Sequence, residues 1–157
     1  MQSCQTPTTP LTSAQIQAIT DSASEVVNNV FEYSNNLDFE SGFKYYSASS
    51  TAYFIVDGQM NSLSDLKKAY REVGPAVEAL ENTIESWNVQ VLAADIVTFT
   101  LPVQLKLKLK GLPEFTGNLV WTATLKYDDH QWMIVQSHES WLNCAEVAAA
   151  LTPAKEE

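Results

Sequence analysis

The run QWMIVQSHESWL, residues 131–142, sets Ser137, His138, Glu139 and Ser140 between an apolar start and a closing Trp141–Leu142 pair. An imidazole changes charge near neutral pH and can move a proton in either direction. If this segment is a strand that alternates without interruption, Trp132, Ile134, Gln136, His138 and Ser140 share one face. Ile134 belongs inside, so His138 is expected to face the interior with Ser140 beside it. Glu139 then falls on the opposite face with Val135 and Trp141, toward solvent or a second subunit. The plainer account of His138 is a buried neutral ring whose nitrogens are satisfied by neighbours such as Ser140. Asp57 in FIVDG is the second chemical candidate. It is either a base facing a pocket or a carboxylate that closes the Asp-Gly turn with its own side chain. His138 and Asp57 together could take a proton next to a carbonyl and stabilise the resulting enolate, provided both reach one ligand atom. Tyr53, Trp87, Phe99 and Trp121 could stack on a flat ligand, although such rings are more often core. No Ser-His-Asp order, phosphate loop or metal-ligand spacing is visible, so neither a metal nor a cofactor is expected.

These residues need a frame, and hydrophobic periodicity supplies it. Thr12 and Gln15 have capping-box spacing. Ile16, Ile19, Ala23, Val26, Val27 and Val30 then form one helical stripe running to about Tyr33. Phe39 to Tyr46 predicts a short second helix. TAYFIVDG, 51–58, is a strand ending in a turn signal. Ser62 and Asp65 open a further helix, broken at Gly74–Pro75, with Ala76 to Leu80 expected to add a helical turn. Residues 83–93 read as a strand carrying Trp87, Val89 and Val91. From Val97 to Leu109 apolar residues occupy every second position, with Lys106, Lys108 and Lys110 on the wet side. Pro102 interrupts that pattern and predicts a bulge or an unpaired position. Leu119, Trp121, Ala123, Leu125 and Tyr127 alternate in the same way, and DDH connects to the final strand. Helices followed by an antiparallel meander give an α+β fold, a curled sheet roofed by helices. A pocket forms wherever side chains leave that cone unfilled.

The chain has 157 residues, 45% of them hydrophobic, which suits one domain with one core. Residues 1–12 read as a tether, 13–145 as the domain and 146–157 as a tail. Nine basic against 19 acidic residues give a net charge of −10, which argues against nucleic acid and against charge-driven binding to anionic lipid. The only cysteines are Cys4 and Cys144, without CxxC spacing. The opening MQSCQTPTTPLTS is similar to the segment after the hydrophobic part of a bacterial lipoprotein signal. On that reading Cys4 is acylated and the protein sits outside the cytoplasm, periplasmic or lipid-anchored. If Cys4 is incidental to a simple tail, the expectation is cytoplasmic.

The element order, FIVDG after the second helix and W-x-I-x-x-x-H-x-S on the last strand resemble the nuclear transport factor 2-like superfamily over roughly residues 13–142. More narrowly the chain is similar to the SnoaL-like and ketosteroid isomerase-like branch. The resemblance implies a cone-shaped barrel with a deep pocket, dimeric through the outer face of the sheet. It implies a general base near Asp57. The branch's tyrosine donor on the first helix falls here near Val30 or Phe31, and its acidic second donor has no counterpart, so steroid-type isomerisation is not expected. Two functions remain open. One is a domain that binds a small hydrophobic molecule, with or without proton-transfer catalysis. The other is a non-catalytic homodimeric module that works through the outer sheet face.

Overall fold

A computed structural model describes residues 10–56, 58–143 and 145–147. Cys4, Asp57 and Cys144 lie outside the described residues, and with them the acylation reading, the turn-or-base question and any pairing of the two cysteines.

The first helix, α1 (Ser13–Asn35), starts where the capping box places it. Gln15 donates its backbone N–H to Thr12 Oγ1 at 3.3 Å, and Thr12 returns its own N–H to Gln15 Oε1 at 2.9 Å. Ala23 and Val27 of the stripe are fully buried, while Ile16 in the first turn stays exposed. A short α2 (Phe39–Gly42) and a 3₁₀ turn (Phe43–Tyr45) follow. Strands β1 (Tyr53–Val56) and β2 (Gln59–Asn61) make a hairpin turned at Gly58, which takes a positive φ of 77°. Helix α3 (Leu63–Val73) opens on a second capping box, Ser62 with Asp65.

Five further strands complete the sheet: β3 (Val77–Ile84), β4 (Asn88–Ala93), β5 (Ile96–Leu109), β6 (Phe115–Asp128) and β7 (Gln131–Trp141). Their order is β2-β1-β7-β6-β5-β3, with β4 also paired to β5. The sheet is curved, unclosed and mixed rather than wholly antiparallel, because β1 runs parallel to β7. The expected helical turn over Ala76 to Leu80 is instead a 3₁₀ turn (Gly74–Ala76) leading into β3. Ladder bonds to β5 outweigh the local preference there. The expected strand over 83–93 is the end of β3 and the whole of β4, and Pro102 explains the division. Its carbonyl accepts from Glu85 N at 2.9 Å, so its missing N–H points to the same edge. Partner strand β3 stops there and β4 takes over.

Alternation along β5 and β6 holds as the sequence indicates. Val97, Phe99, Leu101, Val103, Leu105, Leu119, Trp121, Ala123 and Leu125 are all buried on the face that α1 covers. Near the middle of α1 Trp132 Nε1 donates to Ser22 Oγ at 3.0 Å. At its C-terminal end, Asn35 and Asn82 hydrogen-bond reciprocally, with Asn82 N donating to Asn35 Oδ1 at 2.7 Å. The roof is therefore tied to the sheet at mid-helix and at the helix end.

Candidate functional site

Between the C-terminal half of α1, the inner side of α3 and the far half of the sheet lies a cavity of about 410 Å³. Apolar groups dominate its wall. Leu105, Leu107 and Leu109 come from β5, Leu119 and Trp121 from β6, Val30 and Phe31 from α1, and Tyr70 and Val73 from α3. The polar side chains on the wall are Ser34, Tyr46, Tyr70, Asn82 and Glu139. Asn82 Nδ2 is engaged with Asn35 Oδ1 and Ser34 Oγ, at 2.9 and 3.3 Å. Two phenols and a carboxylate are the other polar groups that the described residues bring to this wall.

Glu139 reaches the cavity because β7 is bulged. Ile134 pairs with Leu125, but Gln136 pairs with the next residue, Thr124, so Val135 is an extra residue without a counterpart on β6. A bulge of this kind resets the side-chain alternation. Beyond it, Ser137, Glu139 and Trp141 share the inner face, opposite Ala123, Trp121 and Leu119. Ser137 is buried, and Glu139 and Trp141 line the cavity.

The expectation that His138 looks inward is thereby corrected. His138 lies opposite Thr122 on the outer face, where the Thr122 hydroxyl is 3.5 Å from the His138 carbonyl oxygen, and Ser140 is outward and exposed. Glu139, expected outside, is inside. The sequence carried a signal for this. Ile134 and Trp141 are both bulky and apolar, yet an odd number of positions separates them, so a strand that buries both must slip once.

The other candidates separate likewise. Trp121 lines the cavity, with its ring edge-to-face against Phe31 at 5.4 Å. Phe99 is buried in the core and does not line the cavity. Trp87 packs on Phe99 at 6.1 Å from the β3–β4 connection and is 39% exposed. Tyr53 pairs with Gln136 on the outer face and is equally exposed. Trp87, Phe99 and Tyr53 are therefore not cavity residues.

Tyr46 follows the 3₁₀ turn and bridges to Ile134, just before the bulge. Its ring sits edge-to-face against Phe43 and Phe54, at 5.7 and 5.0 Å. Burial pushes its phenol well above the ordinary value, and the negative charge of Glu139 pushes the same way. Tyr46 is thus a permanent O–H donor at neutral pH. Beside Trp141, which lines the cavity, Gly117 leaves room for that ring and for Phe115. A Cβ there would lie 2.6 Å from Trp141 Cζ3 and 2.7 Å from the Phe115 ring. No three His, Cys, Asp or Glu side chains among the described residues cluster closely enough to hold a metal ion.

Comparison with known proteins agrees with this architecture. The SnoaL-like domain family matches residues 23–143, and the chain belongs to that family, within the nuclear transport factor 2-like superfamily. A putative scytalone dehydratase from Novosphingobium aromaticivorans superposes with a TM-score of 0.75 at 8% identity, over 83% of this chain and 88% of its own. A hexachlorocyclohexane dehydrochlorinase, LinA-type3, from Novosphingobium barchaimii gives 0.72 at 12% identity, over 83% and 91%. A nuclear transport factor 2-like protein from Salmonella enterica serovar Typhimurium gives 0.73 at 11%, over 80% and 92%. At such identities the likeness is one of fold. No curated protein sequence matches the chain.

Proposed function

We propose that this SnoaL-like domain binds one small, largely hydrophobic molecule in the cavity between α1, α3 and the sheet. The observation that carries the reading is the cavity itself, about 410 Å³ with aliphatic and aromatic walls and a few convergent polar groups. Small-molecule sites have this character and run from roughly 300 to 1,000 Å³. A non-polar ligand body is favoured by burial against Leu105, Leu107 and Trp121, at about 25 cal/mol per Å² removed from water. Tyr46 and Glu139 fix its orientation, the phenol by donating a hydrogen bond and the carboxylate by accepting one.

Structural neighbours named as a dehydratase and a dehydrochlorinase support a catalytic extension in which a proton is removed from the bound molecule. The Asp57–His138 pair does not serve it, since His138 is on the far side of the sheet. Any proton moved in this cavity passes through Glu139 as base, with Tyr46 as the neighbouring donor.

Blocking the mouth tests the binding reading. Ala69 lines the cavity yet is exposed, so Ala69→Trp fills space without crowding the core. Calorimetric titration with naphthalene and its simple derivatives is expected to show saturable binding to the wild type and a loss of at least about tenfold in the variant. Equal affinity in both proteins would place any binding elsewhere and defeat the reading.

A second reading concerns assembly. The outer face presents Thr98, Thr100, Val120, Thr122, Thr124, Gln136 and His138, and no charged side chain lies among these central positions. On a chain of net charge −10 such a surface supports pairing of two copies through it.

A further inference from the structure

A smaller space of about 50 Å³ adjoins the main cavity, between α1, α2 and the 3₁₀ turn that follows α2. The two share five lining residues, Val30, Ser34 and Tyr46 among them, and the smaller one adds Gly42 and Phe43. Its rim is a chain of rings packed edge to face. Phe39 meets Tyr70 at 4.9 Å, Tyr70 meets Phe43 at 5.3 Å, and Phe43 meets Tyr46 at 5.7 Å. Rings interlocked in this way hold the space in shape. Gly42 is buried and takes φ −60° and ψ −41°, a helical conformation open to residues with side chains. A Cβ there would lie 3.6 Å from Tyr33 Cβ and 3.8 Å from the Val30 carbonyl oxygen, which are ordinary contacts. Neither the backbone nor the neighbours require a glycine, and glycine is a poorer helix former than alanine. What its missing side chain provides is room beside Val30.

We propose that this space is a subsite for a short alkyl branch of the ligand, with Gly42 as the residue that sets the length of the branch. The inference rests on the reading of the main cavity as a ligand site. It narrows the ligand to a cyclic carbinol branched at the carbon that carries its oxygen. Tyr46 gives the branch its place. Its side chain borders both spaces, so a ligand hydroxyl on the Tyr46 phenol sets the adjoining carbon at their shared border. The ring system of the ligand stays against Leu105, Leu107 and Trp121. One water-sized group needs roughly 10–15 Å³ of such space, so the subsite accepts a methyl or an ethyl group. Each methylene buried there strengthens binding by about fourfold. Ring, hydroxyl and branch then occupy three separate places. A carbon bearing all three is chiral, so the site distinguishes mirror images.

The probes are naphthylmethanol and its two homologues with a methyl or an ethyl group on the carbinol carbon. Each homologue is titrated by calorimetry as separate enantiomers. One enantiomer of the ethyl homologue is expected to bind at least about fivefold tighter than naphthylmethanol, and its mirror image at least about threefold weaker than that enantiomer. Gly42→Ala, whose Cβ fits without a clash, is expected to reduce that gain by at least about threefold while naphthylmethanol shifts by less than about threefold. Its melting temperature is expected to stay at or above that of the wild type, which separates lost affinity from lost fold. If naphthylmethanol binds and neither homologue binds better in either hand, the cavity is a ligand site but the subsite is wrong. A gain that survives Gly42→Ala undiminished places the branch elsewhere and equally overturns the subsite. If no probe binds, both the cavity reading and this inference fall. Should Gly42→Ala not fold, the wild-type series in both hands alone decides.

Discussion

At the scale of single residues, the chemistry resides in one phenol and one carboxylate that a single extra residue brings to the same side. Tyr46 keeps its proton because its surroundings are apolar and because Glu139 is near. Its raised pKa has a consequence for stability with a definite sign. An unfolded chain releases this proton above about pH 10, whereas the folded chain retains it. The folded state therefore binds more protons there, and stability falls as pH rises beyond that point. The slope from one such group approaches about 1.4 kcal/mol per pH unit. Tyr46→Phe is expected to flatten the dependence by that one-proton share, read from urea unfolding at pH values from about 9 to 12. Identical slopes in the two proteins would mean that Tyr46 is not held protonated by the fold.

At the scale of elements, the decisive feature is the bulge in β7. Deleting Val135 removes the unpaired residue and lets Gln136 follow Ile134 directly. Regular alternation then still points Gln136 outward, Ser137 inward and Glu139 into the cavity. Accordingly the deletion is expected to keep affinity for naphthylmethanol within about threefold, at some loss of thermal stability. A folded deletion variant with no binding would show that Glu139 owes its position to something other than the bulge. The same strand marks the limit of what the sequence discloses. Capping boxes at Thr12 and Ser62 rely on neighbours three residues away, so both helix starts are legible. The dry faces of β5 and β6 are legible because a period of two is a local pattern. Pro102 flags an irregularity but not its form, since the break falls on the neighbouring strands β3 and β4. The inner face of β7 is not legible in this way, because a bulge is set by pairing across strands. Tyr46 and β1 follow one another along its free edge, on either side of Val135. Only the odd spacing of Ile134 and Trp141 hints at it. Parallel entry of β1 beside β7 likewise depends on a long-range contact that no local period records.

At the scale of the whole molecule, the roofed sheet divides its two faces between two tasks. The inner face is apolar under α1 and hollow under α3, and the hollow holds the charge. The outer face is uncharged at its centre, with hydroxyls, amides and His138 half-buried among them, and Lys106 toward one side paired to Glu81 at 3.1 Å. Pairing of two copies through that centre is disrupted by placing a charge in it. Thr122→Arg is expected to convert a dimer to a monomer in light-scattering measurements without altering naphthylmethanol affinity, because the substitution is on the face away from the cavity. A wild-type monomer at all concentrations, or a dimer indifferent to the change, would remove the outer-face interface. The claim on which the functional account stands is that Glu139, and not His138, shares the cavity with the ligand. A crystal structure of the wild-type protein with naphthylmethanol tests this most directly. The account expects density for the naphthyl ring among Trp121, Trp141 and Tyr70, with its hydroxyl oxygen within hydrogen-bonding distance of the Glu139 carboxylate. A β7 strand running without a bulge, with the His138 ring inside and Glu139 outside, would contradict it.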